Sequence, residues 1–382
     1  MQRSSERILT THVGSLPRPK DLLDLMKAKV SGGTYDKAAY DQRVKSAVAE
    51  CVRKQVQTGI DIVSDGEQGK PGFFSYVRER LEGFEARPHQ KRQLFAAEVA
   101  AFPEYYEKYF REAMMGGAVA PVVPLVCTGP VKYRGEEALK RDIANLKAAA
   151  GGAHGAFMPA VAPSGVGTNE YYRTEEEFFH AVGAALRIEY KAIVEAGLLL
   201  QVDDPFLCDI FADPALDAAQ RNKRAEMYVE AINASLSGIP PEKVRFHTCY
   251  GINEGPRIHE AALSDVVGYM LKVNAGAYSF EAANPRHEHE YHLWESVRLP
   301  EGKVLIPGVI THASNIVEHP VLIAERLARF AKLVGRENVV AGADCGFSSQ
   351  ASYHTEVHPT VVWAKFEAMR EGAELATKQL WS

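Results

Sequence analysis

Along the chain, short apolar runs rich in Val, Ile and Leu alternate with longer stretches of helical period. Runs of four to eight branched apolar residues read as strands buried on both faces, and their alternation with helical stretches predicts βα units around a parallel sheet. The strand candidates span 9–15, 60–67, 122–131, 156–163, 198–204, 244–250, 277–282, 304–311 and 339–345. Helical periodicity covers 136–149, 175–196, 218–237, 259–274 and 321–333. Nine runs are one too many for the eight staves of a (βα)8 TIM barrel. The run 122–131 is taken as the extra, because it follows the polar, aromatic segment 87–115, which reads as an inserted helical arm. Eight βα units fill roughly 250 residues, so the surplus belongs in such insertions. The expectation is α/β: one TIM-barrel domain over 1–382 with an insert at about 87–120. No internal repeat, low-complexity tract or Pro/Ser-rich linker divides it.

In such barrels the chemistry sits at the C-terminal ends of the strands. Here strand after strand ends in a capable group: Ser15, Asp65 and Glu67, Asp203 and Asp204, His247 and Cys249, Glu281, His312, Asp344 and Cys345. A packing requirement alone predicts no such repetition. Two-residue spacing puts His247 and Cys249 on one face of a strand. With Glu281 and Cys345 they make a soft N/O/S₂ set suited to Zn²⁺ with an exchangeable position. Each group also has a bland reading. The four also read as strand-end residues or a structural zinc site, Asp203 and Asp204 as a helix cap before Pro205, Glu67 as a turn residue, and His312 as a ring satisfying a loop carbonyl. The stretch 286–292, with His287, His289 and His292 interleaved with Glu, reads as a solvated, mutually paired face on the catalytic rim rather than a second metal site. Arg286 or Arg257 is a candidate for an anionic end of a substrate. His354 and His358 are structural or rim residues.

The formal net charge of −5 gives no bulk attraction to nucleic acid or anionic membrane. No apolar run approaches the ~20 residues of a membrane span, and the first residues lack an apolar signal core, so the cytoplasm is the expected location. Five cysteines, at 51, 127, 208, 249 and 345, are an odd and sparse set expected to stay reduced, as a zinc–thiolate site requires.

Several segments resemble, in order, the cobalamin-independent methionine synthase family, specifically its C-terminal catalytic barrel, within a wider group that includes uroporphyrinogen decarboxylase. Thr10-Thr11-His12-Val13-Gly14-Ser15-Leu16-Pro17 is similar to the family's Gly-Ser-Phe-Pro strand, and Asp65-Gly66-Glu67 to its Gly-Glu motif. Gln201-Val202-Asp203-Asp204-Pro205 resembles Gln-Ile-Asp-Glu-Pro, and Pro307-Gly308-Val309 with His312 the Pro-Gly-Val segment that carries a histidine.

The resemblance implies zinc on His247, Cys249, Glu281 and Cys345, with Glu281 the ligand that gives way when a thiol arrives. It implies His312 as proton donor to the leaving group, and Ser15 (through its backbone), Glu67 and Asp203 as the residues that hold the amino-acid end of homocysteine. The implied partners are a small-molecule thiol and an alkyl donor, with no nucleic acid and no membrane, and with homo-oligomerisation left open. Three departures stand out. The full-length enzyme has two barrels and this chain has room for one. The family's Trp-containing folate stretch is replaced by Ser164-Gly165-Val166-Gly167-Thr168, and Asp204 stands where the family has Glu. The expected activity is zinc-dependent transfer of a methyl or alkyl group to a thiol, homocysteine first. The alternatives are addition of coenzyme M or another thiol to an epoxide, and a metal-free decarboxylase-type or binding barrel.

Overall fold

The computed structural model describes residues 2–90, 94–114, 117–120, 122–251 and 254–382. Among the described residues are ten strands: β1 Ile62–Val63, β2 Leu81–Ala86, β3 Leu125–Tyr133, β4 Gly155–Val161, β5 Thr168–Asn169, β6 Leu199–Asp203, β7 Val244–His247, β8 Ala277–Phe280, β9 Val304–Ile310 and β10 Gly342–Ala343. Seven form a parallel sheet in the order β1-β4-β6-β7-β8-β9-β10. Its two edges meet through residues 10 and 11: Thr10 bridges Ala341 and Thr11 bridges Ile62, both parallel. The eight expected staves therefore close on one another, with the first reduced to single bridges. Its shortness has a local cause, because the Asp61 carboxylate takes the Thr10 N–H at 2.9 Å and so replaces a ladder bond.

The run expected to lie outside the barrel does so. β3 pairs antiparallel with β2 and parallel with β5 in a separate three-stranded sheet. β2 was not foreseen: Leu-Glu-Gly-Phe-Glu-Ala carries two carboxylates and a glycine, the pattern of a half-exposed edge rather than a buried stave. The expected arm is helical, with Ala96–Ala101, Pro103–Tyr109 and a π-helical turn at Phe110–Met114. Helices Lys20–Val30, Lys37–Gln57 and Pro359–Leu380 also lay beyond the sequence reading. The helix expected over 259–274 is shorter, Leu263–Met270, and Glu260 lies before it, paired with Arg257 and His287.

Register places the chemistry. Val161 pairs with Asp203, Asp203 with His247, and His247 with Ser279, so the ends of β4, β6, β7 and β8 sit at one level of one mouth. The opposite half is packed with apolar side chains, including Leu9, Ala277, Val304, Ile306 and Val340. Between them lies a buried cation. Arg245 donates to Thr11 Oγ1 at 2.9 Å and His12 O at 2.7 Å, with its guanidinium 3.9 Å above the Phe157 ring. Burial pulls its pKa down to about 9.

His12, beside it, is fixed as the neutral ring. Gly14 N donates to Nδ1 at 3.2 Å, which leaves the Nε2–H to donate to Gln55 Oε1 at 2.8 Å. Burial, with Arg245 nearby, lowers its pKa from 6.5 to about 3. As pH falls through 6.5 the unfolded chain takes up a proton that the folded chain refuses until about pH 3, so stability is lost over that window, about 2 kcal/mol of it by pH 5. Urea unfolding at pH 7 and pH 5 should show that extra loss in the unaltered chain and not in His12→Gln; equal losses would contradict it.

Candidate active site

His247, Cys249 and Cys345 are each buried at the barrel mouth, and one donor atom from each lies within 4.8 Å of the others. The two Sγ atoms are 3.3 Å apart, and both thiols are free. Cys249 reaches this point because the chain leaves the sheet just after His247, and Cys345 because β10 ends at Ala343. His247 Nδ1 lies 3.1 Å from Ser279 Oγ, while its buried Nε2 has no hydrogen-bond partner among the described residues. With Nδ1–H donating to the hydroxyl, Nε2 keeps a free lone pair. Burial, Arg245 and His312 push the ring's pKa down to about 3, so it is the neutral form a metal needs. Cys345 and burial hold the Cys249 thiol well above its usual range. Two adjacent thiols and an orphaned imidazole nitrogen fit a soft divalent ion with an open coordination position.

Glu281 is not in that set. Its carboxylate accepts from Arg257 Nη2 at 2.6 Å, Asn284 Nδ2 at 2.8 Å and Tyr250 N at 3.0 Å. It falls instead into a second group with His312 and Asp344. Asp344 is saturated differently, its Oδ1 accepting from Ala282 N and Ala283 N, both at 2.8 Å, and its Oδ2 from Asn284 at 3.0 Å. His312 is buried, and burial with the nearby Arg257 charge lowers its pKa to about 4. The structure makes the ring neutral at pH 7, so it must take up a proton before it can donate one.

Above the thiols lies a cavity of about 720 Å³. Its floor includes Ser15, Glu67, Asp203, His247, Cys249 and Cys345, and its roof includes Phe95, Val99 and Phe110 of the arm. Asp203 accepts from Gln201 Nε2 at 2.8 Å, and burial together with the Glu67 charge raises its pKa well above the carboxylate range. Glu67 sits in the left-handed region, at φ 55°, after Gly66, with Lys70 Nζ 3.7 Å from Oε1 and no partner for Oε2 among the described residues. The Ser15 carbonyl accepts from Phe347 N at 3.0 Å, tying the first stave to the Cys345 loop. Gly346 is required there, since a Cβ would stand 2.0 Å from Ser15 Oγ. Asp204 turns away, accepting from Ser164 Oγ at 2.8 Å and from Leu207 N at 3.2 Å in the first turn of the helix Phe206–Ala212 that follows Pro205.

The sequence matches the family described as cobalamin-independent synthase, catalytic domain, over residues 8–131 and 163–370. The chain belongs to that family. Its members here include the methionine synthase of Sulfolobus acidocaldarius, 25% identical over 88% of this chain and 85% of that protein. Another is the 5-methyltetrahydropteroyltriglutamate-homocysteine methyltransferase of Streptomyces avermitilis, 24% identical over 89% of this chain. The chain spans only 39% of the length of that second relative. The fold is shared with a B12-independent methionine synthase from Shewanella sp. solved in complex with selenomethionine, at a TM-score of 0.73 and 20% identity, covering 98% of this chain and 99% of that one. This member of the cobalamin-independent synthase family is a transferase. Among its described residues no helix is long and apolar enough to cross a membrane.

Sequence reasoning missed what supports these groups. Lys70 is buried and donates to Pro159 O at 2.7 Å, 4.2 Å above the Tyr76 ring and beside Glu67. Asn284, which bridges Glu281 and Asp344, carried a usable signal, standing three residues after Glu281 and before a proline. Arg257, a candidate for a substrate anion, is committed to Glu260 and Glu281. The histidine stretch is partly buried rather than solvated: His287 lies between Glu260 and Glu290, at 2.9 and 2.8 Å.

Proposed function

We propose that the chain transfers a methyl group to the thiol of homocysteine, giving methionine, as a zinc enzyme. The observation that carries the reading is the buried trio of His247, Cys249 and Cys345, two thiols and an imidazole whose Nε2 lacks a hydrogen-bond partner among the described residues, lining a substrate-sized cavity. A zinc ion held by these side chains would supply a Lewis acid that keeps an arriving thiol deprotonated at neutral pH. The carboxylates of Asp203 and Glu67, close together and short of donors, suit the ammonium of an amino-acid thiol placed beside the trio. Ionisation of both in the empty site is opposed by burial, and an arriving cation relieves that opposition. A neutral His312 would accept a proton and return it to the atom the methyl leaves.

The donor side of the cleft is apolar, with Phe73, Phe74 and Phe206 among its walls. It runs into a second cavity of about 930 Å³ that shares Phe74, Phe206 and Asp209 and is walled in part by Lys27, Arg78, Arg134 and Arg224. A flat apolar body followed by cations favours a donor with an aromatic ring and an anionic tail, which the donor named for the Streptomyces relative possesses. The reading includes one catalytic domain over 1–382 acting in the cytoplasm. The test is formation of labelled methionine from homocysteine and methyl-labelled 5-methyltetrahydropteroyltriglutamate by zinc-loaded protein, with coenzyme M and an epoxide as the competing pair. Methionine is the expected product; consumption of coenzyme M without methionine would contradict the reading.

A further inference from the structure

Lys70 is a buried cation with no part in the transfer itself. It closes the turn Asp65-Gly66-Glu67-Gln68-Gly69-Lys70 that follows β1, and the backbone of that turn is fixed from several sides. Arg18 Nη2 donates to the carbonyls of both Glu67 and Lys70 at 2.8 Å, and the Asp65 carboxylate accepts from Glu67 N at 2.9 Å. Gly66 stands at φ 66°, where a Cβ would lie 2.5 Å from Cys51 Sγ. The amine is held as closely as the backbone. Nζ donates to Pro159 O at 2.7 Å, and it lies 4.2 Å from the centre of the Tyr76 ring and 3.7 Å from Glu67 Oε1. Tyr76 is anchored in turn, donating at 2.8 Å to Glu189, which also accepts from Arg80 at 3.0 Å. None of these contacts involves His247, Cys249 or Cys345.

Charge balance gives this amine a task. Glu67 and Asp203 are both buried at the cavity floor, and the ammonium of an arriving acceptor neutralises only one of the two carboxylates. A buried charge left unpaired is costly, so a second cation is needed there. Arg18 is occupied by the carbonyls of Glu67, Lys70 and Ser348, and Arg245 by Thr11 and His12, while Asp65 adds a further negative charge beside the turn. Among the described residues Lys70 alone brings a cationic nitrogen to ion-pair distance of either carboxylate. Burial opposes ionisation of Glu67, and the Lys70 charge favours it. Glu67 Oε2 has no partner among the described residues, so the carboxylate retains capacity for a further donor. We propose that Lys70 is a positioning residue for the thiol acceptor, supplying the counter-charge that fixes the Glu67 carboxylate at the cavity floor and so making the site select an acceptor that carries an ammonium. The inference rests on the reading of Glu67 and Asp203 as the ammonium subsite.

The test is a cycle of Lys70→Met, Glu67→Gln and the double variant, each loaded with zinc. Two thiols are titrated into each: homocysteine, and 4-mercaptobutyrate, which has the same length and carboxylate but no ammonium. Lys70→Met should raise Kd and KM for homocysteine about tenfold, the size of a coupling between buried charged neighbours, with kcat and the affinity for 4-mercaptobutyrate within about twofold of the unaltered chain. The double variant should bind homocysteine within about twofold of Glu67→Gln alone, because the amine acts through that carboxylate. If Lys70→Met does not fold, Lys70→Gln, which retains a donor for Pro159 O and removes the charge, takes its place in the cycle. An unchanged homocysteine affinity on loss of the amine, an equal loss for both thiols, or losses that simply multiply in the double variant would overturn the proposal and leave Lys70 a support of the turn. Unchanged homocysteine affinity in Glu67→Gln would instead remove the ammonium subsite, and this inference with it.

Discussion

Cys249→Ser and Cys345→Ser should each lose more than about a hundredfold in zinc affinity, because even partners behind a metal ligand cost 10- to 100-fold when removed. Methyl transfer should fall with it, while the circular dichroism spectrum and the unfolding midpoint of the metal-free protein change little. The physical reason is the division of labour within the fold. The two thiols lie beyond the last paired residues of β7 and β10, His247 and Ala343, so neither contributes to the ladder. The apolar packing that stabilises the barrel lies among the strands and the surrounding helices. Zinc uptake should also weaken as pH falls, since Cys345 and burial favour the protonated Cys249 thiol, and the ion must displace that proton. Elemental analysis with chelator competition between pH 6 and pH 8 checks both expectations. Full zinc occupancy in both serine variants would remove the metal site from these residues.

Asp203→Asn should raise KM for homocysteine roughly 10- to 100-fold with little change in kcat, because a hydrogen bond to a charged group is worth about 1.5–3 kcal/mol in ground and transition state alike. The substitution keeps the shape and the Gln201 contact while removing the charge that an ammonium would meet. A thiol of similar length without the amino group should bind both proteins equally. Burial raises the pKa of Asp203 and of Glu67, and the Glu67 charge raises that of Asp203 further, so the unaltered enzyme's KM should fall as pH rises and the pair ionises. An unchanged KM in Asp203→Asn would favour a thiol that is not an amino acid.

The barrel was legible because buried parallel staves are largely apolar on both faces, which leaves short apolar stretches such as Leu198-Leu199-Leu200 and Val304-Leu305-Ile306 between helical segments. The side sheet was half legible. β3 has the same apolar run, but its partner β2 carries solvent-facing glutamates and no buried alternation. In the site, the Cys249–Cys345 approach could be read from strand-end position, since a parallel barrel gathers the C-terminal ends of all its strands at one mouth, β7 and β10 included. What position along a strand cannot encode is which of several nearby charges a side chain selects. Glu281 ends a stave just as His247 does, yet the guanidinium that captures it comes from Arg257, on a loop whose left-handed backbone no periodicity announces. The pKa of His312 escaped for a related reason: its enclosure depends on which residues pack over it, and those come from other strands and loops.

X-ray absorption at the zinc edge, recorded on zinc-loaded protein before and after homocysteine, tests the central claim most directly. The account predicts two sulfur neighbours before and three after, the new one near ~2.3 Å. It also predicts release of roughly one proton per site near pH 7, because a free thiol with a pKa of about 8.5 becomes a thiolate at the metal. A zinc shell that stays the same under saturating homocysteine would mean that the metal does not meet the thiol, and the methyl-transfer account would fall.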